Sequence, residues 1–143
     1  ETEGSHFLDT DYPLSLISLG PKFSNSVPVL GAATPQGKIT DERMIKQHNK
    51  FRLNYEKIRQ TLDYHSDYHY KPVWDGTNEN LREIEDFRVK MEIPKDKTYI
   101  MPAGDTRETL IEMYPKVFEM CAEHGYNMTG RDHIIAYNDR REV

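Results

Sequence analysis

The sequence predicts an α/β fold made of parallel-sheet βα repeats. Three observations carry this. Short apolar runs, Leu14 to Leu19, Tyr68 to Trp74, Thr98 to Met101 and Ile134 to Tyr137, have the length and flanking turn residues of strands. Between them lie segments whose apolar residues recur every three or four positions, as on one face of a helix. Strand and helix alternating in this way imply a parallel sheet with right-handed crossovers. Third, the chemically distinctive residues follow the strands: Gly20-Pro21-Lys22, Asp75-Gly76, Pro102-Ala103-Gly104 and Asn138-Asp139. Parallel sheets bind ligands at that end.

Each element has a local reason. Pro13 stands at a strand start, where its missing N–H is tolerated. Gly20 to Ile39 is rich in Gly, Pro, Ser and Asn and reads as a long loop, expected to be loosely held without a ligand. Thr40 to about Tyr64 reads as one long amphipathic helix, capped by Thr40. Its inward face is Met44, His48, Phe51, Tyr55, Ile58 and Leu62. Pro72 distorts the second strand. Asn78 is placed to cap a helix reaching about Val89, and Asp105 to cap another that Gly125 ends. The strand Ile134 to Tyr137 is followed by a polar tail from Asn138 to Val143.

Composition narrows the function classes. The chain has 143 residues, 36% hydrophobic and 30% charged, with a mean hydropathy of −0.82. A core this thin suits a domain that packs part of its apolar surface against something else. The net charge of −5 argues against a general nucleic-acid or anionic-membrane surface. No run approaches the roughly 18 apolar residues of a membrane span. One cysteine, Cys121, excludes an internal disulfide and a multi-cysteine metal site. A cytoplasmic location is expected.

Several residues are candidates for chemistry. Lys22 follows Gly-Pro at a strand end, a cation on a short tether beside free backbone groups; it suits an anionic ligand, or is a solvated loop lysine. His133 enters the last apolar run, either as a hydrogen-bonded structural histidine or as a ligand contact. His65 and His69 are four apart, a metal spacing on a helix, but no third ligand is evident. Cys121 lies on the inward face of its helix and is expected to be inert. Arg131, Arg140 and Arg141 form a basic tip that Asp132, Asp139 and Glu142 interrupt.

Four segments, in order, carry a resemblance: ETEGS at Glu1 to Ser5, SLGPKFSNSVP at Ser18 to Pro28, YIMPAG at Tyr99 to Gly104 and RDHIIAYNDRREV at Arg131 to Val143. Together they resemble the C-terminal half of the 7-carboxy-7-deazaguanine synthase family, radical S-adenosylmethionine (SAM) enzymes of queuosine and 7-deazapurine biosynthesis. The resemblance implies that residues 1–143 are one C-terminal portion of an open (β/α)6 partial barrel. It implies a ring contraction of 6-carboxy-tetrahydropterin to 7-carboxy-7-deazaguanine, started by a 5′-deoxyadenosyl radical, with loss of ammonia. It implies SAM, and a [4Fe–4S] cluster and Mg²⁺ held by an N-terminal half outside this sequence, and a homodimer.

Residue by residue, the resemblance implies that Gly20-Pro21-Lys22 contacts SAM, with Gly20 where the family has serine. Glu1 would face the pterin; a carboxylate accepts two parallel hydrogen bonds and so matches the amino and ring N–H edge. His133 would line the pterin site, and the terminal carboxylate of Val143 would fold back to it. Glu142 stands where the family often has glycine. Two other readings stay open: a non-catalytic α/β module binding a purine, a pterin or a protein, and a radical SAM enzyme with another substrate.

Overall fold

The computed structural model describes residues 1–34, 37–38 and 41–138, with the backbone alone described at 33, 34, 37, 38 and 51. The strands are β1 (Ile17–Leu19), β2 (Ala33–Thr34), β3 (Gly37–Lys38), β4 (Tyr68–Tyr70), β5 (Val73–Trp74), β6 (Tyr99–Pro102) and β7 (Asn127–Met128). The helices are α1 (Glu42–Phe51), α2 (Tyr55–Tyr64), α3 (Asn78–Lys90), α4 (Arg107–His124) and α5 (Asp132–Tyr137).

The expected parallel sheet is present. β1 pairs with β4, β5 with β6 and β6 with β7, all in parallel. Single parallel bridges, Thr2 to Leu19 and Tyr70 to Thr98, join the ladders and extend them to the first residues. Pro72 divides the expected second strand into β4 and β5 because it donates no ladder hydrogen bond. Its carbonyl still accepts from the Met101 N–H at 2.9 Å, so pairing resumes at once.

Helices cover one face of this sheet. Leu19, Tyr70 and Ile100 from the strands, and Ile58, Ile84 and Val117 from the helices, are all fully buried in one cluster. Phe87 is its aromatic centre: it stacks on Tyr70 at 5.3 Å and Tyr55 at 5.7 Å, and meets Phe23 edge-on at 5.8 Å. The intervening strand residues Ser18, His69, Lys71, Val73, Tyr99 and Met101 point the other way and are only partly buried.

Several expected elements are different. The long helix is two, because Asn54 caps α2 by accepting from the Lys57 N–H at 3.3 Å. Asp41 caps α1, and Thr40 lies outside the described residues. Of the expected stripe, Ile58 and Leu62 are buried and Tyr55 is partly buried, whereas Met44 is exposed. The Phe51 side chain lies outside the described residues. The caps of α3 and α4 are Thr77 and Thr106, each one residue from the expected position. Gly125 ends α4 with φ 74°, as expected of a glycine in the left-handed region.

The expected last strand, Ile134 to Tyr137, is helix α5, with Ile134 buried. The strand position beside β6 is taken instead by β7, immediately after α4. A short apolar run does not distinguish a buried strand from a buried helix turn. Nor is the first part of the long loop loosely held. Phe23 is buried, the Ser24 hydroxyl donates to Glu83 at 2.6 Å and Asn25 donates to Asp75 at 3.1 Å. Among the described residues no helix is long and apolar enough to cross a membrane.

Candidate ligand site at the strand ends

A cavity of about 560 Å³ opens at the C-terminal ends of the parallel strands. It brings together Glu1, Gly20-Pro21-Lys22 and Arg131, which are far apart in sequence. Glu1 is positioned by the sheet. The Thr2 N–H donates to the Ser18 carbonyl at 2.9 Å and the Thr2 carbonyl accepts from the Gly20 N–H at 2.8 Å. The chain then turns inward at Gly4, which is buried with φ 80°. A Cβ there would lie inside contact distance of Ile58 Cγ1 and 3.2 Å from Leu19 Cδ1. Glycine is needed because the backbone lies directly on α2 and β1.

Gly20 has room to spare. A Cβ on it would sit 3.7 Å from Glu1 Oε1 and 3.7 Å from the Lys71 carbonyl oxygen, ordinary contact distances. A serine at this position would therefore fit. Lys22 is exposed, and its carbonyl accepts from Arg52 at 3.3 Å, which fixes the turn without using the ammonium.

The far wall is charged. Arg131 donates to the Gly104 carbonyl at 2.6 Å. Burial pulls its guanidinium below the usual arginine pKa, and the carboxylates of Asp105 and Glu1 oppose that shift. Asp75 accepts from the Thr77 N–H at 2.9 Å and its hydroxyl at 2.6 Å. Val73 and Met101 give the cavity an apolar lining. Cations and carboxylates that share a partly apolar pocket suit a polar small molecule with both donor and acceptor groups.

Over essentially its whole length the chain is similar to 7-carboxy-7-deazaguanine synthases. It is 31% identical over 141 residues to the 7-carboxy-7-deazaguanine synthase of Rhodopirellula baltica, covering 99% of this chain and 51% of that protein. It is 27% identical over 150 residues to that of Halobacterium salinarum, covering 100% and 55%. The chain thus spans about half the length of the curated relatives it matches. No protein-family profile matches it, and no solved structure does.

The other residues that the synthase resemblance or the spacing singled out are dispersed. His133 is exposed on α5 and does not line the cavity, although Arg131, two residues earlier, does. Val143, Arg140 and Arg141 lie outside the described residues. Lys71 and Asp105 line the cavity without having been read as site residues from sequence; the available signal was adjacency to strand ends, which Asp105 has and Lys71, inside the expected strand Tyr68 to Trp74, lacks.

His65 and His69 do not form a metal pair. His65 is buried at the end of α2, where Nδ1 accepts from the Leu14 N–H at 3.0 Å. Nε2 then carries the proton and donates to the Leu8 carbonyl at 3.1 Å. His69 packs against Tyr99, ring centroids 4.4 Å apart and planes tilted by 35°. Among the described residues no group of three His, Cys, Asp or Glu side chains is placed to hold a metal ion.

Cys121 is buried on α4 and donates weakly to the Asn127 carbonyl at 3.5 Å. Burial pushes its thiol up to about 11. It should therefore resist iodoacetamide at pH 8 in the folded chain and react once the chain is unfolded in urea. Equal rates in both states would show that Cys121 is accessible and thiolate-forming, against its placement here.

Proposed function

We propose that this chain is the C-terminal part of a radical SAM synthase that contracts 6-carboxy-tetrahydropterin to 7-carboxy-7-deazaguanine, with loss of ammonia. In this reading its βα repeats are half of an open (β/α)6 barrel. The observation that carries the proposal is the meeting of Glu1 with Gly20-Pro21-Lys22 in one cavity at the strand ends. These are the residues that the resemblance assigns to pterin and SAM, and the sequence similarity to named synthases is independent of that geometry.

The cavity suits SAM: it offers a turn without side-chain bulk at Gly20, and the ammonium of Lys22, which has no partner among the described residues, for a carboxylate or ribose oxygen. SAM, when bound beside a reduced iron–sulfur cluster, supplies the radical. The chain's own residues bind and orient. Glu1 accepts from the amino and ring N–H edge of the pterin, and Arg131 holds the Gly104 loop against the pocket. Cluster iron needs thiolates, and the buried Cys121 does not fit that role. Cluster and Mg²⁺ ligands are therefore assigned to other residues of the full-length protein.

A pterin contact from the Val143 carboxylate, a cytoplasmic location and a homodimer complete the proposal; His133, exposed on α5 outside the cavity, is given no pterin contact. The exposed Ile111 and Phe118 on α4 are apolar surface that association would cover.

The test is equilibrium dialysis of SAM against the full-length protein with its cluster intact. Lys22→Ala should weaken SAM binding by about 1–3 kcal/mol, the range for a hydrogen bond to a charged group. It should leave folding nearly unchanged, since an exposed loop lysine contributes little to stability. Unchanged affinity would remove Lys22 from the site. Failure of the unaltered protein to bind SAM would remove the radical SAM reading.

A further inference from the structure

The cavity contains a cation that this reading leaves unused. Lys71 lies between β4 and β5, near the middle of the parallel pairing rather than on a loop. Its neighbours Tyr70 and Pro72 are fully buried against the helices, so strand alternation turns Lys71 to the opposite face. There it lines the cavity beside Val73 and Met101. Its backbone is tied on both sides: the Lys71 N–H donates to the Leu19 carbonyl at 2.7 Å, and the next carbonyl, that of Pro72, accepts from Met101 at 2.9 Å.

The ammonium is not neutralised. Lys71 is partly buried, and among the described residues its side chain has neither a hydrogen-bond nor an ion-pair partner. Three carboxylates, Glu1, Asp75 and Asp105, line the same cavity. Asp75 is engaged by Thr77 and Asn25 instead. Glu1 and the Lys71 backbone flank Gly20, each 3.7 Å from where its Cβ would be, yet the Glu1 carboxylate and the Lys71 ammonium do not pair. Opposite charges held apart around one pocket fit a ligand that bears both a donor edge and an anionic group. The other two cavity cations are less suited to hold that anion at depth, because Arg131 is engaged with Gly104 and Lys22 is exposed.

We propose that Lys71 anchors a carboxylate of the bound small molecule while Glu1 reads its N–H edge or that of its co-ligand. This rests on the functional reading above. The carboxylate is that of 6-carboxy-tetrahydropterin or that of the methionine part of SAM, and the experiment separates the two.

Dissociation constants would be measured anaerobically on the full-length protein, unaltered and as Lys71→Met, for two pairs of probes. One pair is 6-carboxy-tetrahydropterin and tetrahydropterin; the other is SAM and decarboxylated SAM. The unaltered protein should prefer the carboxylated member of at least one pair by about tenfold or more, as a charge-assisted hydrogen bond provides. Lys71→Met should abolish the preference in one pair, which names the source, and leave the other pair unchanged. Lys71→Arg, which keeps the cation, should retain most of the preference. If Lys71→Met does not fold by circular dichroism, Lys71→Gln is read in the same way. Preferences that survive removal of the cation, or no preference in the unaltered protein, overturn the assignment of Lys71 alone. Failure of the unaltered protein to bind any of the four probes overturns the functional reading, and this inference with it.

Discussion

Gly4→Ala is expected to destabilise the chain by about 2–5 kcal/mol and to remove Glu1 from the ligand site. Two costs add. The backbone at Gly4 is left-handed, with φ 80°, which costs an L-residue about 1–2 kcal/mol. The new methyl would also be driven into Ile58 Cγ1, with Leu19 Cδ1 at 3.2 Å behind it. Ile58 and Leu19 are both fully buried, so neither has space to yield. Overpacking of this kind costs about 1–3 kcal/mol.

The functional effect follows from position. Residues 1 to 4 are held to the sheet by the two hydrogen bonds of Thr2. Lifting Gly4 off α2 shifts Glu1 away from Gly20, so ligand binding should fall even at temperatures where the variant is folded. Urea denaturation and ligand titration of the full-length protein would measure both effects. A loss below about 1 kcal/mol would mean that the first turn re-forms elsewhere, and that Glu1 is not fixed by packing.

The parts of the fold legible in the sequence are those with a local cause. Gly125 announced the end of α4 because a left-handed residue is needed there. The parallel sheet was legible from alternation alone. What stayed hidden was decided by tertiary contacts. β7 has two residues, too few for a periodic signal, and is specified by pairing with Tyr99 and Ile100. Ile134 to Tyr137 had the composition of a strand, but with β7 beside β6 it packs as helix α5. Asn54 sits among helix-forming residues and is a cap only because its side chain turns back to Lys57.

The site divides in the same way. Gly20-Pro21-Lys22 was legible because it stands next to a strand end, where the fold class itself predicts ligands, whereas Glu1 was legible only through the resemblance carried by ETEGS. Arg131 was visible as part of an interrupted basic tip and as the start of a segment carrying the resemblance, with no site role; its role as a cavity wall depends on the reach of its side chain to Gly104. Lys71 was not visible, because a lysine inside a strand reads as a solvent-facing residue until the face it occupies is known.

His65→Ala is the second large effect expected, a loss of about 2–5 kcal/mol with the sheet's first connection loosened. The end of α2 acts as a clamp on residues 8 to 14. Thr61 Oγ1 accepts from the Leu8 N–H at 3.2 Å, the Tyr64 hydroxyl donates to the Thr10 carbonyl at 2.9 Å, and the Ser66 hydroxyl donates to the Leu14 carbonyl at 2.9 Å. His65 is buried, as Thr61 is, and alone in this set it makes two side-chain bonds to the segment at once, to Leu14 and Leu8. Removing it leaves a donor and an acceptor without partners, at about 1–3 kcal/mol for each one that stays buried. It also opens a cavity beside Tyr64, whose ring meets the imidazole edge-on at 5.0 Å. His65→Gln retains one donor and one acceptor and should recover part of the loss. Hydrogen exchange would locate the effect: the Leu8 and Leu14 amides should lose protection in His65→Ala, while the Tyr70 and Ile100 amides in the sheet interior keep theirs relative to global stability. Uniform loss at all four amides would show that His65 supports the whole core rather than this connection. A stability change under about 1 kcal/mol would show that Thr61, Tyr64 and Ser66 hold the connection without it.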